Sequence, residues 1–546
     1  MKKSVPVKSL SPGALFDFRE ENIMSERSAV ITGGTIVDGT GRCAFKGDVV
    51  IKDDRIAAVI PSEEAPKGGY SADVVYDASG SLVTPGFIDA HAHSDAYLIL
   101  EPDAPSKISQ GITTEINGQC GGSAAPRYGE ARLSSDWASL LGEKLVWRSF
   151  AEYRSALEKA RPAINSVQFV GHNTLRSSVV GYAPRESTAE ELGRMRLLLD
   201  EALDAGWYGL TTGLIYQPGK HASQDEVILL AKAAAEKDAF YATHMRSEGD
   251  GLLEAIDEVV DLAKETGVKA EISHLKTSGE RNWYKIDAAL DKVQSAVDEG
   301  LLLGADRYPY CAAGTDLDIV LSDWAQAGGV TAEIERLANP IVRSRIVSEL
   351  ENSTRDWSKV MIGGTWSNET KAMSGLTVND VVQGSASKSV GEEICRILEA
   401  DKCRTGAFFF GMSEENLDKI LSKEWVVPGS DASLRAPWGP LGADHPHPRA
   451  YGTMPEFYRH LRGIGVSREE AIARMTSVPA QRFSIRERGI IAKGMFADLI
   501  VWREDEFSAE STYNNPHSFS KGVKAVFVNG SLHGGGRENA GRFIER

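Results

Sequence analysis

Three things are scarce in this 546-residue chain, and each scarcity removes a class of function. Long apolar runs are missing: none approaches the roughly 18 residues needed to cross a bilayer, so no membrane partner is expected. Basic charge is in deficit, with 61 Lys and Arg against 77 Asp and Glu and a net charge of −16. Such a chain repels a nucleic-acid backbone and an anionic lipid surface alike. Cysteine is rare. The five copies, at positions 43, 120, 311, 395 and 403, form no paired framework, which points away from a disulfide scaffold and toward a reducing, cytoplasmic location. The first residues, MKKSVPVKSLSPGALFDFREENIM, have no continuous apolar core and do not read as a secretory signal. Residues 1–27 read as a flexible leader, its first 23 alternatively as an extension from a start codon upstream of Met24.

What is present is an ordinary globular composition, 42% hydrophobic and 25% charged. From residue 28 short β-branched runs (SAVITGGTIVDGTG, GDVVIKDDRIAAVI, ADVVYDASGSLVTPG) are cut by Gly, Asp-Asp and Pro turns, and FADLIVWRED and KAVFVNGSLH repeat that texture near the far end. Segments 28–85 and 488–546 are therefore expected to build one small β-sandwich. Between them, over 86–487, strand-like runs alternate with helical patterns: GFIDAHAH, GITTEINGQC, NSVQFVGHN, YGLTTGLIY, FYATHMR, KAEISHLK, LLGADRYPY and WVVPGSDA. Strand then helix, eight times over, is the pattern of an α/β fold of the (β/α)8 barrel type. Thr188 with Glu191, and Ser467 with Glu470, have the spacing of capping boxes, and Gly206 and Gly267 mark helix ends. The seventh and eighth runs lie far apart, so about 315–424 is read as a helical insertion, a lid or a homo-oligomer contact.

The polar residues fall on those strands in a pattern. His91 and His93 are two apart at the end of strand one, so both point into the barrel mouth. Cys120 ends strand two, His172 strand three, His244 strand five, His274 strand six and Asp431 strand eight. Carboxyl ends of strands are the face where barrel enzymes keep their chemistry. Taken singly, a histidine is most often a hydrogen-bonded core residue and a cysteine a small buried hydrophobe. Together, imidazole, thiolate and carboxylate converging on one face are a divalent transition-metal ligand set, and zinc suits all three.

At this point a resemblance adds to the reading. TPGFIDAHAHSD, NGQCGGSAAP, ATHMRSEGDGLLEAI, ISHLKTSG, DRYPY, GSDA, HPRAYGTMPEF and MTSVPAQRFSIRERGIIAKGMFADLIVW, in this order over about 28–530, resemble the amidohydrolase superfamily and, within it, the D-aminoacylases (N-acyl-D-amino-acid deacylases). That family uses a cysteine thiolate where many of its relatives bridge two metals with a carboxylated lysine. The resemblance implies one tightly bound zinc on Cys120, His244 and His274. It also implies a neighbouring site on His91, His93 and Asp431 that is weakly occupied or empty. It further implies hydrolysis of the amide of an N-acyl-D-amino acid, with Asp431 as general base toward water and then as acid toward the leaving nitrogen.

Lys276, two beyond His274 on the inward face, Tyr308 at the end of strand seven and Arg449 in HPHPRAYG match positions that contact the substrate carboxylate in that family, with Tyr216 of GLIYQPG near them. His172 is undecided between a supporting role and a substrate contact. Arg246 is read as a structural partner of Glu248, and His447 as a brace for the loop of Arg449. The segment after DRYPY, CAAGTDLDIVLSDWA, has no arginine, so a neutral, hydrophobic side chain is expected on the substrate. Two alternatives stand beside this reading: a cyclic-amide or xenobiotic amide hydrolase on the same barrel, and a non-catalytic ligand-binding barrel.

Overall fold

The computed structural model describes residues 28–133, 140–536 and 538–546. The expected leader over 1–27 lies outside the described residues.

Eight parallel strands are present where the sequence pattern puts them: Phe87–Asp89, Ile112–Asn117, Asn165–Gln168 continued by Val170–Gly171, Gly209–Gly213, Phe240–His244, Lys269–Ile272, Leu303–Arg307 and Val426–Pro428. Each pairs with the next. The ring closes where Ala90 N–H donates to the Pro428 carbonyl at 2.9 Å and Asp431 N–H to the His91 carbonyl at 2.8 Å. Of these strand residues only Lys269 is not buried. Helices cover the outer face, so the strands are buried on both sides, and the polar residues among them, such as Glu115, Asn165 and Asp306, are buried as well.

The helix signals act as their chemistry requires. Ahead of Ala189–Asp204, Thr188 Oγ1 accepts the Glu191 N–H at 3.2 Å and the Glu191 carboxylate accepts the Thr188 N–H at 2.8 Å. Leu252–Thr266 stops at Gly267, whose φ of +70° suits glycine. Ser467 accepts the Glu470 N–H at 3.2 Å to start Arg468–Met475. Only this half of the expected box forms there.

Both chain ends contribute to one eight-stranded sheet. Ser28–Ile36, Phe45–Lys52, Arg55–Pro61, Val74–Asp77 and Leu82–Pro85 join Leu499–Trp502, Val523–Val528 and Ser531–Leu532. The seam is the antiparallel pair Leu82–Pro85 with Leu499–Trp502. Ile31, Val49, Ile56, Val83, Leu499 and Phe527 form its core. The last residues leave this sheet and pair with the barrel: Ser166 N–H donates to the Arg542 carbonyl and Ile544 N–H to the Ser166 carbonyl, both at 2.9 Å.

The insertion between strands seven and eight is helical as expected, and it also carries a three-stranded antiparallel sheet (Ala312–Asp316, Gly406–Phe410, Val360–Ile362). It has its own core, built on Leu317, Ile346, Ile394 and Leu398. This makes it a packed unit set over the barrel mouth.

Candidate metal centre

Cys120 sits at the meeting point of two ligand groups. Its Sγ lies 3.3 Å from His91 Nε2, 3.3 Å from His274 Nε2 and 3.8 Å from His244 Nδ1. Asp431 Oδ1 lies 3.0 Å from His93 Nε2 and 3.4 Å from His91 Nε2. Donor atoms of His91, His93, Cys120 and Asp431 are within 4.8 Å of one another, and so are those of Cys120, His244 and His274. The sulfur belongs to both groups, the position of a bridge.

The local backbone is bent to achieve this. Cys120, His274 and Asp431 have φ of +52°, +40° and +48°. Left-handed non-glycine residues are costly, and clusters of them mark functional sites. Gly118 gives the chain room to turn: a Cβ there would stand 2.1 Å from the Phe169 carbonyl oxygen. Gly429, before Ser430 and Asp431, lets strand eight approach strand one, since a Cβ would stand 2.6 Å from that of His91.

The donors fit a divalent cation, because the His91 and His274 rings each turn their other nitrogen onto a carboxylate. His91 Nδ1 lies 3.0 Å from Asp306 Oδ2, and His274 Nδ1 lies 2.8 Å from Glu248 Oε1. His244 Nε2 lies 3.6 Å from Glu248 Oε2. This is the carboxylate–histidine support that orients metal-binding imidazoles. Burial pushes the Cys120 thiol up, but the charges of His91 and His274 outweigh it and hold the thiol well below its ordinary range. Burial likewise raises Asp431, and the Arg449 guanidinium with His274 overrides it, keeping the carboxylate ionised.

Lys276, Tyr308, Arg449 and Tyr216 line the same cavity, of about 600 Å³. The Lys276 ammonium pairs with Glu248 and lies 2.8 Å from His274 Nδ1. Arg449 Nη1 lies 2.7 Å from Asp431 Oδ2, and its Nη2 donates to the Gly314 carbonyl at 3.1 Å. His447 braces Arg449 by accepting its backbone N–H on Nδ1 at 3.0 Å. The buried Tyr308 hydroxyl has no hydrogen-bond partner among the described residues, a donor left for a ligand. Tyr216 Oη lies 3.3 Å from Thr315 Oγ1.

The open choice for His172 narrows to a supporting role, and the expected partner of Arg246 needs correction. His172 is buried and turned away from the cavity, with Nε2 2.7 Å from Glu226 Oε1. It starts the helix His172–Val179, and Arg176 on that helix pairs with the same carboxylate. Arg246 pairs with Glu258, at 2.9 Å, and not with Glu248. Glu248, in the loop after the strand Phe240–His244, turns to the histidines, while Arg246 in the same loop reaches forward to the helix Leu252–Thr266.

Sequence reasoning missed the residues that act through the ligands. Asp306 shares the inward face of its strand with Tyr308, a period-two signal that was available. Behind the site, the fully buried Lys107 ammonium lies 3.0 Å from Asp89 Oδ2 and 2.7 Å from Glu115 Oε1. It also donates to Ser430 Oγ at 3.1 Å and the Ala432 carbonyl at 3.2 Å. Asp89 in turn accepts the Ser430 N–H at 2.8 Å. This network ties strands one, two and eight together, and nothing in the local pattern around Lys107 announces it.

A metal-ligating mouth on a (β/α)8 barrel with an attached β sheet defines a class of hydrolase, and the comparisons name it. The model of the amidohydrolase family matches residues 74–532. The chain belongs to the amidohydrolase family. It is 33% identical to N-acyl-D-glutamate deacylase of Alcaligenes xylosoxydans xylosoxydans over 92% of each chain. It is 31% identical to D-aminoacylase of the same organism, over 92% of this chain and 93% of that one. A crystal structure of N-acyl-D-glutamate deacylase from Bordetella bronchiseptica, complexed with zinc and a phosphonate inhibitor, superposes with a TM-score of 0.80 at 32% identity, covering 96% of this chain and 100% of that chain.

Proposed function

We propose that the protein is a zinc-dependent hydrolase that splits N-acyl-D-amino acids into a carboxylate and a free D-amino acid. The observation that carries this is the shared position of Cys120 between the two donor groups, with Asp431 and Arg449 in contact beside it. The named relatives, N-acyl-D-glutamate deacylase and D-aminoacylase, support the substrate class and the D configuration.

Cys120, His244 and His274 would hold the tightly bound ion, and His91, His93 and Asp431 a second, weaker one. A bound zinc supplies polarisation of the scissile carbonyl and acidification of water. Asp431, kept ionised by Arg449, accepts the proton of the attacking water and delivers it to the leaving nitrogen. Arg449 has five N–H donors, enough to hold Asp431 and a substrate carboxylate together. Tyr308 adds its unspent hydroxyl, and Lys276 its ammonium, to the same carboxylate. Asp306 and Glu248 fix the imidazole rings.

The expected neutral side chain belongs to the same proposal. Ala313 and Ile319 give the cavity wall after strand seven an apolar stretch that carries no cation of its own. Amine release from paired N-acetyl-D- and N-acetyl-L-amino acids (Leu, Met, Phe, Trp, Glu) tests the reading. Turnover of neutral D substrates with little on the L forms is expected; silence across the panel in zinc-loaded protein would exclude it and direct attention to cyclic amides.

A further inference from the structure

The mouth of this cavity is cationic in an otherwise acidic protein. Six cationic side chains line it (Arg132, Lys276, Arg355, Arg404, Arg435, Arg449) against four carboxylates, in a chain with a net charge of −16. Three of the six already pair with a carboxylate of the protein. Lys276 pairs with Glu248, Arg449 with Asp431 at 2.7 Å and Arg435 with Asp444 at 3.0 Å. Among the described residues, Arg132, Arg355 and Arg404 form no ion pair, and they share the mouth with one further carboxylate, Asp316.

Arg355 and Arg404 both come from the insertion, on the wall that also carries Trp366, Phe408 and Phe409. The Arg404 guanidinium lies 4.9 Å from the centre of the Trp366 ring and that of Arg355 5.5 Å from the centre of the Phe409 ring. Arg404 Nε donates to the Asp401 carbonyl at 3.1 Å, which with the stacking restrains the planar guanidinium and leaves its two terminal nitrogens to fork onto a carboxylate. Surface arginines in an acidic protein ordinarily find acidic partners. Two restrained ones gathered over the site call for a ligand.

We propose that Arg355 and Arg404 form a second anion subsite that receives a second carboxylate of the substrate, at the end remote from the α-carboxylate held by Arg449. This rests on the hydrolase reading above and names its preferred substrate class, N-acyl-D-amino acids whose acyl arm carries a carboxylate. With a neutral side chain against Ala313 and Ile319, the second carboxylate sits on the acyl arm, as in N-succinyl derivatives.

The experiment compares kcat/KM for N-succinyl-D-leucine, N-acetyl-D-glutamate and N-acetyl-D-leucine in the wild type and in Arg355→Gln, Arg404→Gln and the double variant, with thermal midpoints recorded for each. N-succinyl-D-leucine is expected to exceed both acetyl substrates, and its ratio to N-acetyl-D-leucine to fall about 10- to 100-fold in the double variant, the cost of a lost charged hydrogen-bonding partner. A preference for the glutamate substrate over the succinyl one would put the second carboxylate on the side chain and overturn the proposal. Equal ratios for all three substrates, or a preference the variants leave intact, would overturn the subsite while leaving the hydrolase reading standing. No turnover of any substrate would remove both. Arg355 is exposed, so Arg355→Gln keeps the test alive should the buried side of Arg404 prove necessary for folding.

Discussion

Glu248 does more at the residue scale than its place in the HMRSE segment suggests. Its carboxylate lies 2.8 Å from His274 Nδ1, pairs with Lys276 and stands 3.6 Å from His244 Nε2, so it sets which nitrogen the His274 ring offers to Cys120. Glu248→Gln keeps the shape and removes the charge. Zinc affinity measured by chelator competition is expected to drop about 10- to 100-fold, the usual cost of losing such a partner; unchanged affinity would mean the rings are oriented by packing alone. Asp431→Asn separates chemistry from binding. Turnover should fall by at least about 100-fold for loss of an acid–base group, while metal analysis still finds the ion held by Cys120, His244 and His274. Loss of that ion together with activity would assign Asp431 to ligation instead.

Strand ends carry the site at the element scale, and behind them the Lys107 network fixes strands one, two and eight relative to one another. Burial pulls the Lys107 ammonium toward neutrality, and Asp89 and Glu115 more than restore its charge. Lys107→Met leaves both carboxylates buried without a counter-charge, which costs about 3–5 kcal/mol. Chemical unfolding should show a destabilisation of that size, and a midpoint equal to wild type would show that the carboxylates had taken up protons at no cost.

This is also the scale at which legibility divides. The eight strands were readable as short β-rich runs between helix signals, and the candidate donors because they fall at or just past the ends of those runs. Asp306 left a period-two signal beside Tyr308, but Glu248, Asp89 and Lys107 were not readable in these roles, because each works through a neighbour brought close only by folding. Lys107 and Ala432 are remote in the chain yet bonded. The short strand Val360–Ile362 gave too few residues to show a period. His172 ended a strand like the true donors, and only its contact with Glu226 shows that it faces elsewhere.

Taken as a whole, the molecule is a barrel whose mouth gathers ligands from strands one, two, five, six and eight, roofed by an insertion that supplies two of the cavity's arginines. Its acid tolerance has an identifiable contributor away from the metal. Burial raises Glu226, yet its bonds to His172, Arg176 and Ser187 prevail and hold it at about 2 against an ordinary 4.5. A depressed carboxyl contributes stability that is complete above the unfolded value and is lost as pH falls from there toward 2. The stability difference between wild type and Glu226→Gln should therefore shrink between pH 5 and pH 3; a difference constant with pH would place the contribution in neutral hydrogen bonds.

The central claim is that a zinc centre built on Cys120 hydrolyses an N-acyl-D-amino acid. It is tested most directly by following amine release from N-acetyl-D-leucine and N-acetyl-L-leucine in the isolated protein, then after chelation, then after zinc is restored, alongside Cys120→Ala. Release from the D form alone, abolished by the chelator, recovered with zinc and absent in the variant, is the predicted result. Release that survives chelation, or that persists in Cys120→Ala at the wild-type rate, would contradict the account.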